Sequence, residues 1–178
     1  EYIIEIAQSI YDKFKHKLKE SEDISFFTRQ AEKSVFSDIK NTISRLKFKM
    51  DVFYNENTLY DEGKIDEVVQ QLRNKNLIAE KDGAVWFLSS QLGMDQDRVI
   101  IKSTGEPTYR LPDIAYHREK FLRGFELIID IFGADHIATY PDVLLALKAL
   151  DFDVQKINVL IHQFVTLTEG DKKIKMST

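Results

Sequence analysis

Apolar residues recur every three or four positions through the first 46 residues, the period of one face of a helix. The repeat is interrupted once, by the polar run Ser21-Glu22-Asp23. We therefore predict two helices that form a hairpin with their apolar faces turned inward. The repeating positions are Ile3, Ala7, Ile10, Phe14 and Leu18, then Ile24, Phe27, Ala31, Val35, Ile39, Ile43 and Leu46.

The spacing of apolar positions changes after residue 47. A third helical repeat comes next, and two short apolar runs then flank the turn Lys81-Asp82-Gly83. An Asp-Gly pair between two such runs is a strong signal for a β-hairpin. We therefore predict a small helix-plus-hairpin subdomain over about residues 50–92, with Trp86 as the anchor of its core.

Apolar runs typical of strands alternate with helical repeats from residue 98 onward. The repeats begin at Pro112 and Pro141, and proline suits the first turn of a helix because its missing N–H would have no partner there. Alternation of strands and helices with these lengths predicts a parallel sheet with right-handed crossovers. The predicted strands are 98–103, 108–111, 125–132 and 157–165, and the predicted helices end near Leu122 and Leu150.

Ligands of such sheets bind beyond the carboxyl ends of the strands. The loop Gly133-Ala134-Asp135-His136 follows a predicted strand and falls at that edge. Asp135 can accept hydrogen bonds from a ribose or an amine there, or it can cap the helix that follows. His136 can donate to the same ligand or can merely satisfy the loop.

Tyr109 and Asp113 lie on either side of the junction between a predicted strand and a predicted helix. A carboxylate fixed at a helix start suits a guanidinium group, which needs planar bidentate acceptors, and a tyrosine can cover that group. The alternative is an ordinary first-turn aspartate beside a core tyrosine. The residues taken alone favour this alternative.

Lysines cluster at residues 172, 173 and 175, after the turn Glu169-Gly170-Asp171. Such a run is most often a solvated hairpin. Just beyond a strand of a nucleotide-binding sheet, however, a lysine loop can bring positive charge to phosphates as a transition state forms. Both interpretations stay open at this point.

Composition indicates a globular protein, because a chain of 178 residues with 43% hydrophobic residues can bury a core. The absence of cysteine excludes disulfides and thiolate metal sites, and the four histidines are too scattered to predict a metal site. No run approaches the roughly 20 apolar residues of a membrane span, and no signal peptide opens the chain. We therefore expect a soluble cytoplasmic protein without a metal site of its own. The net charge of −4 still leaves room for a local basic patch that contacts nucleic acid.

Five segments that occur in a fixed order resemble the class I arginyl-tRNA synthetases. They run from about residue 47 to the last residue, and the first 46 residues fit the family less distinctively. The segments are FYNENTLY, VVQQLRNKNLIAEKDGAVWF, GEPTYRLPDIAYHREKF, GADHIATYPDVLLALKALDFD, and VLIHQFVTL with the terminal KMST.

The resemblance implies that arginine is activated with ATP and Mg²⁺ to arginyl adenylate and is then transferred to tRNA(Arg) by a monomeric enzyme. It also implies an α/β fold: a partial Rossmann-like parallel sheet with a helical hairpin and a small helix-plus-hairpin insertion subdomain. The implied domains are a helical part of the catalytic domain (1–49), a connective insertion (50–92), and the C-terminal half of the nucleotide-binding catalytic domain, ending in the KMS loop (93–178).

The resemblance also implies a role for each matched residue. Tyr109 and Asp113 would contact the arginine, with Asp113 holding its guanidinium group. Lys175 and Ser177 would act in catalysis by stabilising the phosphates as the adenylate forms. The remaining matched positions would bind the nucleotide: Gly133, Asp135, His136, Gln163, Phe164, Val165 and Met176.

The chain departs from the family pattern at two places. Thr178 occupies the position where the signature normally has a lysine, and no HIGH-like turn for the ATP phosphates occurs in the sequence. We therefore expect the isolated chain not to aminoacylate. Two other classes stay open, a nucleotide-binding module of another nucleotidyltransferase and a structural domain whose helical hairpin binds a partner protein.

Overall fold

The computed structural model describes residues 2–14, 24–170 and 172–174. Within them the chain divides into two compact units, one up to residue 53 and one from residue 54. No helix in these ranges is both long enough and apolar enough to cross a lipid bilayer.

The first unit contains the two predicted helices, α1 (Tyr2–Phe14) and α2 (Ile24–Arg45). They contact each other, for example through the rings of Phe14 and Phe26, whose centroids lie 5.3 Å apart. The expectation that the apolar faces turn inward is wrong, because neither helix contains a buried residue. Two helices cover only the stripe where they touch, and the apolar positions here extend beyond that stripe.

The second unit begins with a helical and antiparallel part. Helices α3 (Asn57–Asp61) and α4 (Lys64–Asn74) precede β1 (Ile78–Lys81) and β2 (Ala84–Phe87), which form the predicted hairpin. Asp82 and Gly83 at its turn have φ values of 52° and 74°, as a tight two-residue hairpin turn requires. The prediction of Trp86 as the core anchor is wrong, because Trp86 is only half-buried and its neighbour Phe87 is buried instead.

The third strand, β3 (Arg98–Ile101), pairs antiparallel with β2 and completes a sheet of order β1-β2-β3. It was expected in the parallel sheet. The strand expected at 108–111 is absent as well, because only a single bridge joins Ile101 to Pro107 and helix α5 (Arg110–Leu122) already begins at residue 110. The missing N–H of Pro112 is tolerated throughout the first helical turn, so the helix can start before the proline.

The parallel pairing is confirmed in the last third of the chain. Strand β4 (Ile128–Gly133) is followed by helix α6 (Tyr140–Ala149) and by β5 (Ile157–His162), which pairs parallel with β4 in register from Ile128↔Ile157 to Gly133↔His162. The fold is therefore α/β, as predicted. Two short strands, β6 (Leu167–Glu169) and β7 (Lys172–Ile174), then form an exposed antiparallel hairpin.

One face of the β4–β5 sheet is exposed, which corrects the expectation of a buried strand over 125–132. Along β4 the buried Ile128 and Asp130 alternate with the exposed Ile129 and Ile131, and Ile131 is 68% exposed. Alternation of this kind places successive side chains on opposite faces. The inner face packs into a single core together with the helices and the antiparallel sheet. Its most buried members include Leu59, Val68, Leu72, Phe87, Ile100, Leu111, Ile114, Ala115, Ala146 and Leu147.

Replacement of Leu147 in α6 tests this core. Leu147 is fully buried, so we expect Leu147→Ala to lower the free energy of unfolding by about 2–5 kcal/mol. The matched control, Ile131→Ala, trims a side chain of similar size on the exposed sheet face and should change it by less than about 0.5 kcal/mol. Urea unfolding followed by circular dichroism measures both. Equal losses would contradict the assigned core.

Candidate functional site

Asp113 lies in the first turn of α5 and borders two cavities. The first cavity has a volume of about 170 Å³ and is named here the aromatic cavity. Two tyrosine rings and two carboxylates line it together with small parts of the core. Its lining residues are Tyr54, Glu56, Leu59, Pro112, Asp113 and Tyr116.

The aromatic cavity has the chemistry of a cation site. The rings of Tyr54 and Tyr116 lie 4.9 Å apart at 37°, and Glu56 and Asp113 contribute the carboxylates. Aromatic faces and carboxylates together favour a planar cation such as a guanidinium. The buried hydroxyl of Tyr54 has no hydrogen-bond partner among the described residues, and burial raises its pKa. A ligand in the cavity could supply that partner.

The second cavity is narrow, with about 10 Å³, which is room for a single water molecule. Asp113, His117 and Asp130 line one part of it, and Phe132 and His136 line another. The rings of Phe132 and His136 stack, with centroids 4.8 Å apart at 16°. The structure thus brings Asp113 and His136, both predicted site residues, to the wall of one cavity.

The carboxylate of Asp113 accepts no hydrogen bond from any residue that the structure describes, and yet the side chain is largely withdrawn from water. Burial raises its pKa above the ordinary value, and the nearby side chains of His117, His136 and Lys120 only partly oppose this effect. Asp113 also occupies the first turn of α5, where the helix dipole favours a negative charge. The group is therefore an available acceptor beside the aromatic cavity.

A buried polar network lies behind Asp113. His117 places Nδ1 2.7 Å from the carbonyl oxygen of Asp113 and Nε2 2.9 Å from Oδ2 of Asp130. Lys120 donates to the other carboxylate oxygen of Asp130. Burial raises the pKa of Asp130, but hydrogen bonds from His117 and Lys120 outweigh that effect, so the net pKa lies below the usual value.

The carboxyl ends of β4 and β5 coincide, because Gly133 pairs with His162. A Cβ atom on Gly133 would lie 2.5 Å from Oδ1 of Asp135, so glycine lets that carboxylate fold back over the strand end. Nε2 of His136 lies 3.9 Å from Oδ2 of Asp135. Residues 163–165, with the exposed Phe164 and Val165, follow β5 at the same edge. This is where parallel sheets bind ligands.

Some predicted site residues stay apart from this arrangement. Tyr109 lies one helical turn before Asp113, since the Asp113 N–H donates to its carbonyl at 3.2 Å, but the Tyr109 side chain is 92% exposed and lines neither cavity. Asp135 is also exposed and lines neither cavity. Lys175, Met176 and Ser177 lie outside the described residues.

Three polar or aromatic residues of the aromatic cavity, Tyr54, Glu56 and Tyr116, were missed by reasoning from residue patterns. Tyr54 and Glu56 precede Asp113 by more than fifty positions, and no local periodicity links them to it. The segment FYNENTLY, which contains both, was the only signal. Among the described residues, no group of three or more histidine, aspartate or glutamate side chains is arranged to hold a metal ion.

Comparison with known proteins identifies the relatives of this chain. The family model described as the catalytic domain of class I tRNA synthetases (R) matches residues 2–178. An arginine–tRNA ligase from Desulfotalea psychrophila is 60% identical over the whole chain, and one from Salinibacter ruber is 48% identical. The chain spans 32% of the length of each of these relatives.

Solved structures agree with these matches. A protein assigned as arginyl-tRNA synthetase from Campylobacter jejuni superposes with a TM-score of 0.87 at 32% identity, covering all of this chain and 39% of that one. Arginyl-tRNA synthetase from Plasmodium falciparum gives a TM-score of 0.68 at 14% identity, covering 92% of this chain and 29% of that one. The second likeness concerns the fold alone.

The two aspartates of the site should affect stability with opposite signs. Because the folded state raises the pKa of Asp113, its ionisation weakens folding, and Asp113→Asn should raise the melting temperature at pH 7. That gain should shrink as the pH falls through the raised pKa and should be lost below the ordinary value of 3.8, where the wild-type group is protonated in both states. Thermal unfolding between pH 3.5 and pH 7 measures the effect.

Asp130→Asn is the matched comparison. The lowered pKa of Asp130 means that its charge stabilises the fold above pH 3.8 and loses this effect only below that value. Breaking its buried ion pairs should lower the free energy of unfolding at pH 7 by about 3–5 kcal/mol. A loss of stability from Asp113→Asn as large as that from Asp130→Asn would contradict the assignment of Asp113 as an unpartnered carboxylate.

Proposed function

The chain belongs to the family of class I tRNA synthetases for arginine, and on that premise we propose that the protein activates arginine with ATP to arginyl adenylate and transfers it to tRNA(Arg). The chain spans about a third of the length of its curated relatives, so the proposal concerns the whole enzyme. Monomeric state and cytoplasmic location are part of the same proposal.

The aromatic cavity carries the arginine part of the proposal. A guanidinium group needs carboxylate oxygens in its plane and favours aromatic rings against its faces. Glu56 and Asp113 supply the carboxylates, and Tyr54 and Tyr116 supply the rings. Tyr109, which is exposed one turn before Asp113, would cover the ligand from the solvent side.

The nucleotide part rests on the shared carboxyl edge of β4 and β5. Asp135 and His136 would offer a carboxylate and an imidazole to the ribose hydroxyls of ATP, and Gly133 would take part by letting the Asp135 carboxylate lie over the strand end. The segment Gln163, Phe164 and Val165 would receive the adenine ring through its backbone. Mg²⁺ would enter with ATP, because this ion binds phosphate oxygens while keeping several waters.

The proposed phosphate contacts belong to the segment Lys175-Met176-Ser177, and they rest on the family resemblance. Lys175 and Ser177 would stabilise the charge that develops when an oxygen of the arginine carboxylate attacks the α-phosphorus and pyrophosphate leaves. Met176 would contact the nucleotide. In the second step a hydroxyl of the terminal adenosine of tRNA attacks the arginyl carbonyl, and AMP leaves. Without a HIGH-like turn, the isolated chain would lack half of the phosphate site and should be inactive.

Arginine-dependent pyrophosphate exchange with ATP tests the assignment of Asp113. We would replace the matching segment of the Desulfotalea psychrophila ligase by this chain and measure exchange in the chimera. Loss of a charge-assisted contact to guanidinium should raise the KM for arginine at least tenfold in Asp113→Ala, about 1.4 kcal/mol, with little change in the KM for ATP. The control Asp151→Ala removes an exposed aspartate that pairs with Lys75. An unchanged KM for arginine in Asp113→Ala would favour a nucleotide-binding module without arginine recognition.

The same exchange assay tests Lys175. We expect Lys175→Ala to lower kcat for exchange by more than tenfold, a loss of more than about 1.4 kcal/mol of transition-state stabilisation. Lys172→Ala, in the exposed strand β7, is the matched control and should stay within about twofold. Similar effects of the two substitutions would argue for a general influence of charge and against a dedicated phosphate contact.

A further inference from the structure

A three-residue network joins α5 to β4 behind the proposed arginine site. Asp130 of β4 accepts from Nε2 of His117 at 2.9 Å and from Nζ of Lys120. Nζ of Lys120 also lies 3.3 Å from Nε2 of His117. Asp130 is 5% exposed and His117 is buried, so these contacts are shielded from water and from salt.

His117 is tied to the backbone of the residue that it stands behind. Its Nδ1 lies 2.7 Å from the carbonyl oxygen of Asp113, one turn earlier in α5. A carbonyl oxygen only accepts, so Nδ1 is the donor, and Nε2 faces Asp130. The ring is therefore held at both ends, between the turn that carries Asp113 and a strand that is fixed by the parallel sheet.

A gain in stability is not enough to account for a buried ionic network of this kind. Buried charges lose hydration, and well-packed apolar side chains often stabilise a fold as well as an ion pair does. The second unit contains another buried carboxylate, Asp142, which pairs with Arg98 and Arg110, but it lines neither cavity. His117 and Asp130 do line a cavity, the narrow one that Asp113 also borders.

We propose that His117 is a positioning residue for arginine recognition, which holds the first turn of α5 so that the Asp113 carboxylate faces the aromatic cavity. The inference rests on the proposed function, because it assigns the arginine guanidinium to Asp113. Asp130 and Lys120 in turn hold the ring of His117 in place, because both contact its Nε2. Nothing in this role requires contact between His117 and the substrate.

Three substitutions in the chimera test the inference by pyrophosphate exchange. His117→Ala removes both contacts, and His117→Gln keeps an amide near Asp130 but loses the donor to the Asp113 carbonyl. Both should raise the KM for arginine about five- to tenfold, with kcat and the KM for ATP within about twofold. His117→Asn restores a donor near the Nδ1 position and should recover part of the loss. If the alanine variant does not fold, the KM for arginine of the glutamine variant tests the inference in its place.

Two controls separate positioning from loss of stability. Leu147→Ala destabilises the core without touching the network, so it should leave the KM for arginine within about twofold. In an Asp113→Ala background, His117→Ala should have no further effect on that KM, because His117 acts through Asp113. Additive effects in this cycle, or an equal rise of both KM values, would overturn the inference.

The outcomes also distinguish the inference from the proposed function. If the chimera with the unaltered chain shows no arginine-dependent exchange, the proposed function fails and the inference falls with it. If that chimera is active and all three His117 variants keep the KM for arginine within about twofold, only the inference is wrong.

Discussion

The arrangement around α5 follows from one constraint, a carboxylate that is largely held out of water and has no hydrogen-bond partner among the residues that the structure describes. Asp113 lies beside the aromatic cavity, and burial raises its pKa. Two features partly oppose this rise. Asp113 lies in the first turn of α5, where the helix dipole favours a negative charge, and basic side chains lie near it. Because no described residue donates a hydrogen bond to this carboxylate, it is available to a positively charged ligand.

Helix α5 can hold that carboxylate because three consecutive buried polar residues anchor it on two sides. His117 contacts Asp130 of β4, Arg118 pairs with Glu67 of α4 at 2.8 Å, and Glu119 pairs with Lys64 at 2.5 Å. These positions belong to the charged run His117-Arg118-Glu119-Lys120. Their pairing partners lie 13 to 55 residues away, so no local pattern could show that the run is buried.

The elements that the sequence predicted well are those fixed by local chemistry. The Asp-Gly turn defined the β1–β2 hairpin, Pro141 defined the start of α6, and alternating strand and helix lengths indicated the parallel β4–β5 pair. The error at β3 concerns long-range pairing. Strand β3 has an ordinary β-branched sequence that fits either sheet, and only its pairing with β2 decides between them. Tyr54 and Glu56 of the aromatic cavity were likewise set beside Asp113 by packing, not by spacing.

The two predicted subsites are mechanically linked through one strand. Asp130, which holds His117, and Gly133, which opens the nucleotide edge, both belong to β4. The alternation along that strand sends Asp130 toward α5, while its carboxyl end turns into the loop with Asp135 and His136. A shift of β4 would therefore move the support of the proposed arginine site and the edge of the proposed nucleotide site together. The proposed formation of an adenylate needs the arginine carboxylate and the α-phosphate in fixed alignment, and one strand shared by both proposed sites would limit their relative motion more than two separate loops.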